Sequence, residues 1–327
     1  MREKSRHGPQ IEAVTDGHFD QSFCRRFLAA HQNQDGGWGY FPHKPSSVEA
    51  TSWALMALRR RQEDTPAGDA MERGCEWLIK AQLKDGSWPA FVGQPLGCWA
   101  TSLAAMALHG EGASPEAVVR ARDWLLNAWP AEGNLWWRLA RLWSGRRVVR
   151  QDNSLAGWSW TRHTASWVEP TAHALLFLGG LDAKTLSSKA VKRRRMAEAM
   201  LLDRMCPGGG WNSGNPQVYG VPGVPSIGPT SWALLALAHS AHLPVIHSSV
   251  DWLERACASA QGPASLVLAY RCLKAYGRNA PSLDSDIVDL YARNRFFEST
   301  LTVAWLGLAL ADNPQRPDEG SSKGAPA

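Results

Sequence analysis

Thr51-Ser52-Trp53-Ala54-Leu55 recurs letter for letter as Thr230-Ser231-Trp232-Ala233-Leu234. Such a repeat confines the chain to a small group of folds. Apolar segments that recur in register mean stacked copies of one supersecondary unit, each covering its neighbour's apolar face. Looser copies keep the register. Ala104-Ala105-Met106-Ala107-Leu108 matches Ala54-Leu55-Met56-Ala57-Leu58, and a further copy runs from Thr171 to Leu178.

Each copy is apolar nearly all round, the pattern of a helix buried on both sides, and each is preceded by an amphipathic segment with one wet face. The outer helices are predicted at 20–32, 69–82, 115–128, 185–205, 247–258 and 284–293, and the inner ones at 47–60, 97–109, 167–179, 228–241, 263–276 and 297–311. In the outer set, Phe23, Phe27 and Leu28, or Val118, Ala121, Trp124 and Leu125, give the helical stripe. An open stack would leave its last apolar face in water, so the six pairs are expected to close into an all-α, (α/α)6 toroid with an inner and an outer ring. Residues 19–311 are read as one toroid domain, with a Trp-rich insertion at 129–166 that is too long for an ordinary connection. Residues 1–18 and 312–327 are polar and rich in Gly, Pro and Ser, and are expected to be mobile tails.

Between the first predicted pair stands Gln32-Asn33-Gln34-Asp35-Gly36-Gly37-Trp38, and between the second Gln82-Leu83-Lys84-Asp85-Gly86-Ser87-Trp88. Both spell QxxDGxW. An Asp-Gly pair supplies the left-handed residue of a tight turn, and the Trp staples the reversal by burying a large ring. Paired with inner helices of the form TSWALxAL, the motif resembles the QW repeat of squalene–hopene cyclases, oxidosqualene cyclases and related terpene cyclase domains of the prenyltransferase type. Gly208-Gly209-Gly210-Trp211, with the loop to Pro229 and then Thr230-Ser231-Trp232, resembles a late repeat of those cyclases. The resemblance spans about residues 20–311, with degenerate third, fifth and sixth repeats.

Triterpene cyclases of this kind protonate their substrate with the middle aspartate of a DxDD motif at an inner-helix start, and this chain has no DxDD. Its nearest string, Asp284-Ser285-Asp286-Ile287, falls on a predicted outer helix. Aligned on the closing threonine, the acid position is Glu49 in Glu49-Ala50-Thr51 and Glu169 in Glu169-Pro170-Thr171, with Glu298 in Glu298-Ser299-Thr300 a looser fit. An acid in the first turn of a helix also has a plain structural use, since it meets unpaired N–H groups and the positive dipole end. Glu169 is the first candidate acid and Glu49 the second. Glu169 follows Trp160 and Trp167 and precedes His173, and burial would raise its pKa. Trp53, Trp232, Trp160 and Trp167 are expected to shape a cavity and steady a cation through their ring faces.

The zinc-dependent prenyltransferase branch fits poorly. Cys98 stands at an inner-helix start, but Leu96 replaces that branch's aspartate and no inner-helix histidine completes a trio. His173 reads as a core or cavity residue, the DDxxD magnesium signature is absent, and no metal or cofactor is expected. Six cysteines fall singly, which suits reduced side chains and a cytoplasmic protein. No run of apolar residues is long enough to span a membrane. Net charge +5 is mild, and Lys192-Arg193-Arg194-Arg195 reads as a solvated helix face. The expected partner is an apolar isoprenoid-like molecule and not a nucleic acid. Contact with the inner face of a membrane, or with a partner protein, stays open, as do a non-catalytic lipid-binding toroid and a carbohydrate-active (α/α)6 enzyme.

Overall fold

The computed structural model describes residues 21–59, 65–133, 151–260, 262–278 and 299–311. The helices are α1 (Gln21–Ala30), α2 (Val48–Leu58), α3 (Thr65–Ala81), α4 (Ala100–Glu111), α5 (Pro115–Asn127), α6 (Val168–Gly180), α7 (Ser188–Asp203), α8 (Ile227–Ala236), α9 (Pro244–Cys257), α10 (Pro263–Ala275) and α11 (Thr300–Ala311). A short antiparallel hairpin pairs β1 (Gln217–Val218) with β2 (Val221–Pro222).

The inner ring closes. Helix α2 packs on α4, α4 on α6, α6 on α8, α8 on α10, α10 on α11, and α11 returns to α2. Helices α1, α3, α5, α7 and α9 lie outside this ring, and the sixth predicted outer segment, 284–293, lies outside the described residues. Burial follows the two sequence patterns. On α2 all but Glu49 and Met56 are buried, whereas α1 buries only the stripe Phe23, Cys24, Phe27 and Leu28. Each fully buried Leu or Phe contributes roughly 1.5–3 kcal/mol, so two-sided burial makes the inner ring the main source of stability.

Four turns share one hydrogen-bonding scheme. In each, the Trp backbone N–H donates to the Oγ1 of the next inner helix's threonine at 2.9 Å, pairing Trp38 with Thr51, Trp88 with Thr101, Trp158 with Thr171 and Trp211 with Thr230. The indole N–H of the same residue donates to a carbonyl of the preceding outer helix: Leu28, Leu78, Leu125 and Leu201 respectively. Gln and Asp of QxxDGxW tie the turn to the next outer helix. Gln32 and Gln82 reach the carbonyls of Ala70 and Ala117, while Asp35 and Asp85 accept the indole N–H of Trp77 and Trp124. Gly36 and Gly86 occupy the left-handed region at φ 91° and 88°, where a side chain is strained.

The third turn departs from the sequence reading. Trp158, inside the insertion, makes the same two bonds as the motif tryptophans, so this repeat is interrupted and not lost. The basic run on α7 also departs from expectation. Arg193 is buried between the faces of Trp129 and Trp158, 4.3 and 4.2 Å from the ring centroids, and donates to the carbonyls of Ala156, Gly157 and Ala128. Three carbonyls and two ring faces replace its hydration, which is how a guanidinium tolerates burial. Burial lowers its pKa to about 10.

Candidate active site

The loops leading into the inner helices surround one end of the ring. Backbone N–H groups hand each repeat to the next: Val48 to Ala90, Trp99 to Trp160, Val168 to Ser213 and Thr300 to Tyr40, all at 3.0–3.2 Å. The acceptor in each case is the second residue after a turn tryptophan. This end is the mouth of the toroid.

The threonines that anchor the turns set a common register. Two residues before them stand Glu49, Trp99, Glu169 and Gly228, at the mouth. One helical turn deeper, on the same face, stand Trp53, Leu103, His173 and Trp232, because residues i and i+4 lie one above the other.

Glu49 is half-buried and its Oε2 accepts the Tyr40 hydroxyl at 2.6 Å. Burial raises its pKa against the lowering effect of that bond, and the Tyr40 phenol is itself pushed up, by burial first and then by the Glu49 charge. Glu169 makes no hydrogen bond or ion pair among the described residues. Burial, with the Glu49 charge behind it, raises its pKa to about 7. The Glu49 charge thus acts on Glu169 across the mouth, while the Tyr40 hydroxyl offsets part of the burial at Glu49. A Cβ on Gly228 would lie 3.6 Å from Glu169 Oε1, so bare backbone walls that side.

Cys98 lies beside this pair. It is buried, its thiol is raised to about 11 by burial and slightly by Glu49, and it faces the Trp88 carbonyl at 3.6 Å. It is a thiol at neutral pH. Trp160 packs edge-on against Trp99 with centroids 5.1 Å apart, and Trp167 begins α6, donating its backbone N–H to the Trp158 carbonyl. Glu298 lies outside the described residues.

Below the glutamates an aromatic cluster closes the axis. Trp53 and Trp232, from helices three places apart in the ring and so opposite one another, stack at 5.2 Å. His173 meets them at 5.8 and 4.7 Å, and Trp305 at 5.9 and 5.7 Å. Burial, with the Arg271 charge adding to it, lowers the His173 pKa to about 3, so the ring is neutral. Neither ring nitrogen has a partner among the described residues, nor do the indole N–H groups of Trp53 and Trp305 or the Ser231 hydroxyl. A chain-like ligand cannot thread past this plug. Beside Trp99 a cleft of about 590 Å³ is lined by Cys98, Trp99, Trp124, Trp129, Trp158 and Pro170, with Arg162 and His163, and by neither Glu49 nor Glu169.

The structure thus places Glu49, Glu169 and Cys98 at one level of the mouth and Trp53, His173 and Trp232 in the plug one turn below. Sequence reading missed Tyr40, Trp99 and Trp305. The register of Trp99 with the two glutamates was a usable signal. Tyr40 occupies the second position after a turn tryptophan, which gains meaning only once the loops are seen to converge.

No family model matches the chain. Over 55 residues it is 40% identical to the drimenyl diphosphate synthase of Streptomyces showdoensis, a stretch that is 17% of this chain and 10% of that protein. A second drimenyl diphosphate synthase, from Streptantibioticus cattleyicolor, is 40% identical over 57 residues, again 10% of its length. Among solved structures, the type II terpene cyclase MstE from Scytonema, in complex with its product merosterolic acid A, superposes with a TM-score of 0.55 at 14% identity, covering 89% of this chain and 96% of that one. The α-1,6-mannanase GH76A of Salegentibacter, an inactive variant with α-1,6-mannotriose, gives a TM-score of 0.55 at 8% identity, covering 89% and 99%. At these identities the likeness is one of architecture, and the architecture is the all-helical toroid of terpene cyclases.

Proposed function

We propose that this chain is a squalene-cyclase-like protein of the QW-repeat type that binds an isoprenoid at the mouth of its ring and cyclises or isomerises it by protonation. The observation that carries the reading is Glu169, a half-buried carboxyl at the mouth with no hydrogen bond or ion pair among the described residues, set against Glu49 and Tyr40, with a pKa raised to about 7 that leaves a large share of it protonated near neutrality. Glu169 would deliver its proton to a carbon of an alkene, to the oxygen of an epoxide whose C–O bond opens to a hydroxyl, or to the oxygen of an allylic alcohol whose C–O bond breaks with loss of water, in each case generating a carbocation. Glu49, whose carboxylate form the Tyr40 hydroxyl favours against the opposing effect of burial, would take a proton from the neighbouring carbon of the final cation, so the proton account closes.

A carboxyl raised to about 7 is a weak acid, which favours activated substrates over plain alkenes. Trp99 and Trp160 flank the acids, and a ring face that meets a desolvated cation lowers its energy by roughly 0.5–2 kcal/mol. The short likeness to drimenyl diphosphate synthases supports a prenyl diphosphate as the first substrate to try. On this reading residues 19–311 form one domain, no metal or cofactor takes part, and the protein works in the cytoplasm.

Incubation with prenyl diphosphates, squalene and oxidosqualene, with products resolved by mass spectrometry, tests the reading. A product is expected whose formation falls at least 100-fold in Glu169→Gln and declines as pH rises through about 7. Binding without turnover in both proteins would leave a non-catalytic lipid-binding toroid. Binding of α-1,6-mannooligosaccharides in preference to isoprenoids would transfer the paired carboxylates to glycoside chemistry, a reading that the GH76A likeness in architecture makes worth the control.

A further inference from the structure

Where the insertion interrupts the third repeat, the wall of the ring opens. The cleft of about 590 Å³ lies there, between the second and third repeats, and its size is that of small-molecule sites, ~300–1,000 Å³. The start of α4, the end of α5 and the loop after Trp158 enclose it. That loop is pinned along both edges. The carbonyls of Trp160 and Thr164 accept the N–H groups of Trp99 and Ala131 at 3.2 and 2.9 Å, and the Ser166 N–H donates to Glu132 at 2.8 Å. Its tip, Thr161-Arg162-His163, lines the cleft.

Most polar side chains of the cleft are already committed. Asp85 accepts from Ser87 and from the Trp124 indole, Ser102 and Ser159 donate to the carbonyls of Trp99 and Thr161, and Asn127 is tied to Asp123 and Lys189. What is left is a set of donors. The Thr161 hydroxyl, the Arg162 guanidinium and the His163 imidazole make no hydrogen bond or ion pair among the described residues. A guanidinium offers N–H groups and no acceptor, so the free capacity here calls for an anion with several acceptor oxygens. His163 also holds left-handed backbone, φ 64°, at the fifth position after its turn tryptophan, where the second repeat has Gly93 at φ 92°. Glycine takes that conformation freely, so the imidazole is kept at a conformational cost. In the first repeat the same position holds His43, whose ring meets His31 edge-on, whereas His163 meets no ring among the described residues.

The other walls are indoles. Trp129 is 45% exposed, more than any other described tryptophan, and Arg193 grips one of its faces from outside the cleft. The plane of Trp129 is thereby fixed before a ligand arrives, which lowers the entropy cost of binding. Trp99, level with Glu49 and Glu169, lines the side of the cleft nearest the mouth, together with Pro170.

We propose that this cleft binds an amphiphile with an anionic head, phosphate or carboxylate, held by Arg162, His163 and Thr161, with the apolar body laid across Trp129 and Trp99. The site is separate from the two glutamates, and its occupancy requires no chemistry at the mouth. One consequence rests on the proposed function: a ligand anchored in this way directs its tail past Trp99 to Glu169, so the substrates are isoprenoid phosphates or acids and not the neutral squalene and oxidosqualene.

Calorimetric titration of the full chain with farnesyl diphosphate, farnesoic acid, farnesol and inorganic diphosphate reads the site, in a Glu169→Gln background so that no ligand is consumed. At least one anionic isoprenoid is expected to bind roughly tenfold or more tighter than farnesol and inorganic diphosphate, and the tighter of the two identifies the head. Arg162→Gln should weaken that ligand roughly tenfold and leave farnesol unchanged. His163→Gly relieves the backbone, so it should weaken the ligand roughly threefold while the unfolding midpoint holds or rises, a pairing that a structural role for the imidazole would not give. Trp129→Ala should weaken the anionic isoprenoids and farnesol alike. Arg195→Gln, exposed on α7, should change nothing, and circular dichroism checks the fold of every variant. Farnesol or inorganic diphosphate binding as tightly as both anionic isoprenoids overturns the proposal, and so does anion binding indifferent to Arg162→Gln and His163→Gly. A parent protein that binds an anionic isoprenoid but yields no product from any substrate would sink the proposed function and leave the site standing. Turnover of squalene in preference to the anionic isoprenoids would keep the proposed function and overturn the consequence drawn for its substrates.

Discussion

Two sets of tryptophans among the described residues have opposite hydrogen-bonding states. Trp38, Trp88, Trp158 and Trp211, at the turns, are buried with both nitrogens spoken for: backbone N–H on a threonine hydroxyl, indole N–H on an outer-helix carbonyl. Trp53 and Trp305, at the centre, are packed against aromatic rings with their indole N–H unpartnered. A satisfied buried group rigidifies, whereas an unsatisfied one costs about 1–3 kcal/mol and needs another reason to be there. The turn set therefore builds the ring, and the central set stands beneath Glu49 and Glu169.

The contrast is broken most directly at the turns. Trp88→Ala removes a fully buried ring and the indole bond that ties the loop to the Leu78 carbonyl of α3, leaving the backbone bond to Thr101 in place, and is expected to cost about 3–5 kcal/mol in urea unfolding. A loss below about 1 kcal/mol would mean that these residues decorate the turn without holding it.

The turn population was visible in the sequence because QxxDGxW and TSWAL place its members at fixed spacing, and so was the alternation of inner and outer helices. The site was visible only in part. Glu49 and Glu169 could be found by aligning on the threonine, because the helix start fixes their level. Their mutual influence could not, since it depends on ring closure bringing α2 and α6 to one opening. Trp158 was hidden because the insertion parts it from Leu125, its indole acceptor, by 33 residues where the other turns span ten. Arg193 was misread as solvated because its sandwich of Trp129 and Trp158 is tertiary and leaves no local pattern.

The same contrast extends to buried carboxyls and predicts a pH effect. Glu132, also buried, accepts the Ser166 N–H at 2.8 Å, while Glu169 accepts nothing among the described residues. Glu169 titrates from 4.5 in the unfolded chain to about 7 in the fold. Between those values the folded protein binds the extra proton. Its contribution is therefore fully present below about 4.5 and is lost as pH rises through about 7. Glu169→Gln carries no such titration. It should match the parent at pH 4 and exceed it at pH 8 by roughly 1–3 kcal/mol in chemical denaturation. Equal stabilities at both pH values would show Glu169 to be well solvated, and would remove the physical basis for the role proposed for it as the acid.

The smallest effect gives the sharpest test of the two populations, because it changes a single N–H. Phenylalanine keeps most of an indole's apolar bulk and deletes its donor. At Trp38 that donor meets the Leu28 carbonyl at 2.8 Å, so Trp38→Phe leaves that acceptor only the longer 3.3 Å bond from the His31 N–H and should cost about 1 kcal/mol beyond the loss of ring volume. At Trp53 the donor meets no acceptor among the described residues, so Trp53→Phe incurs only the volume loss and regains the desolvation that the unpartnered N–H had cost. The ring volume removed is the same at both sites, so the difference between their unfolding free energies isolates the hydrogen bond. A gap of about 1 kcal/mol or more in favour of Trp53→Phe is expected. No gap, or one of opposite sign, would mean that the central N–H is bonded in solution, and the two populations would then differ in position alone.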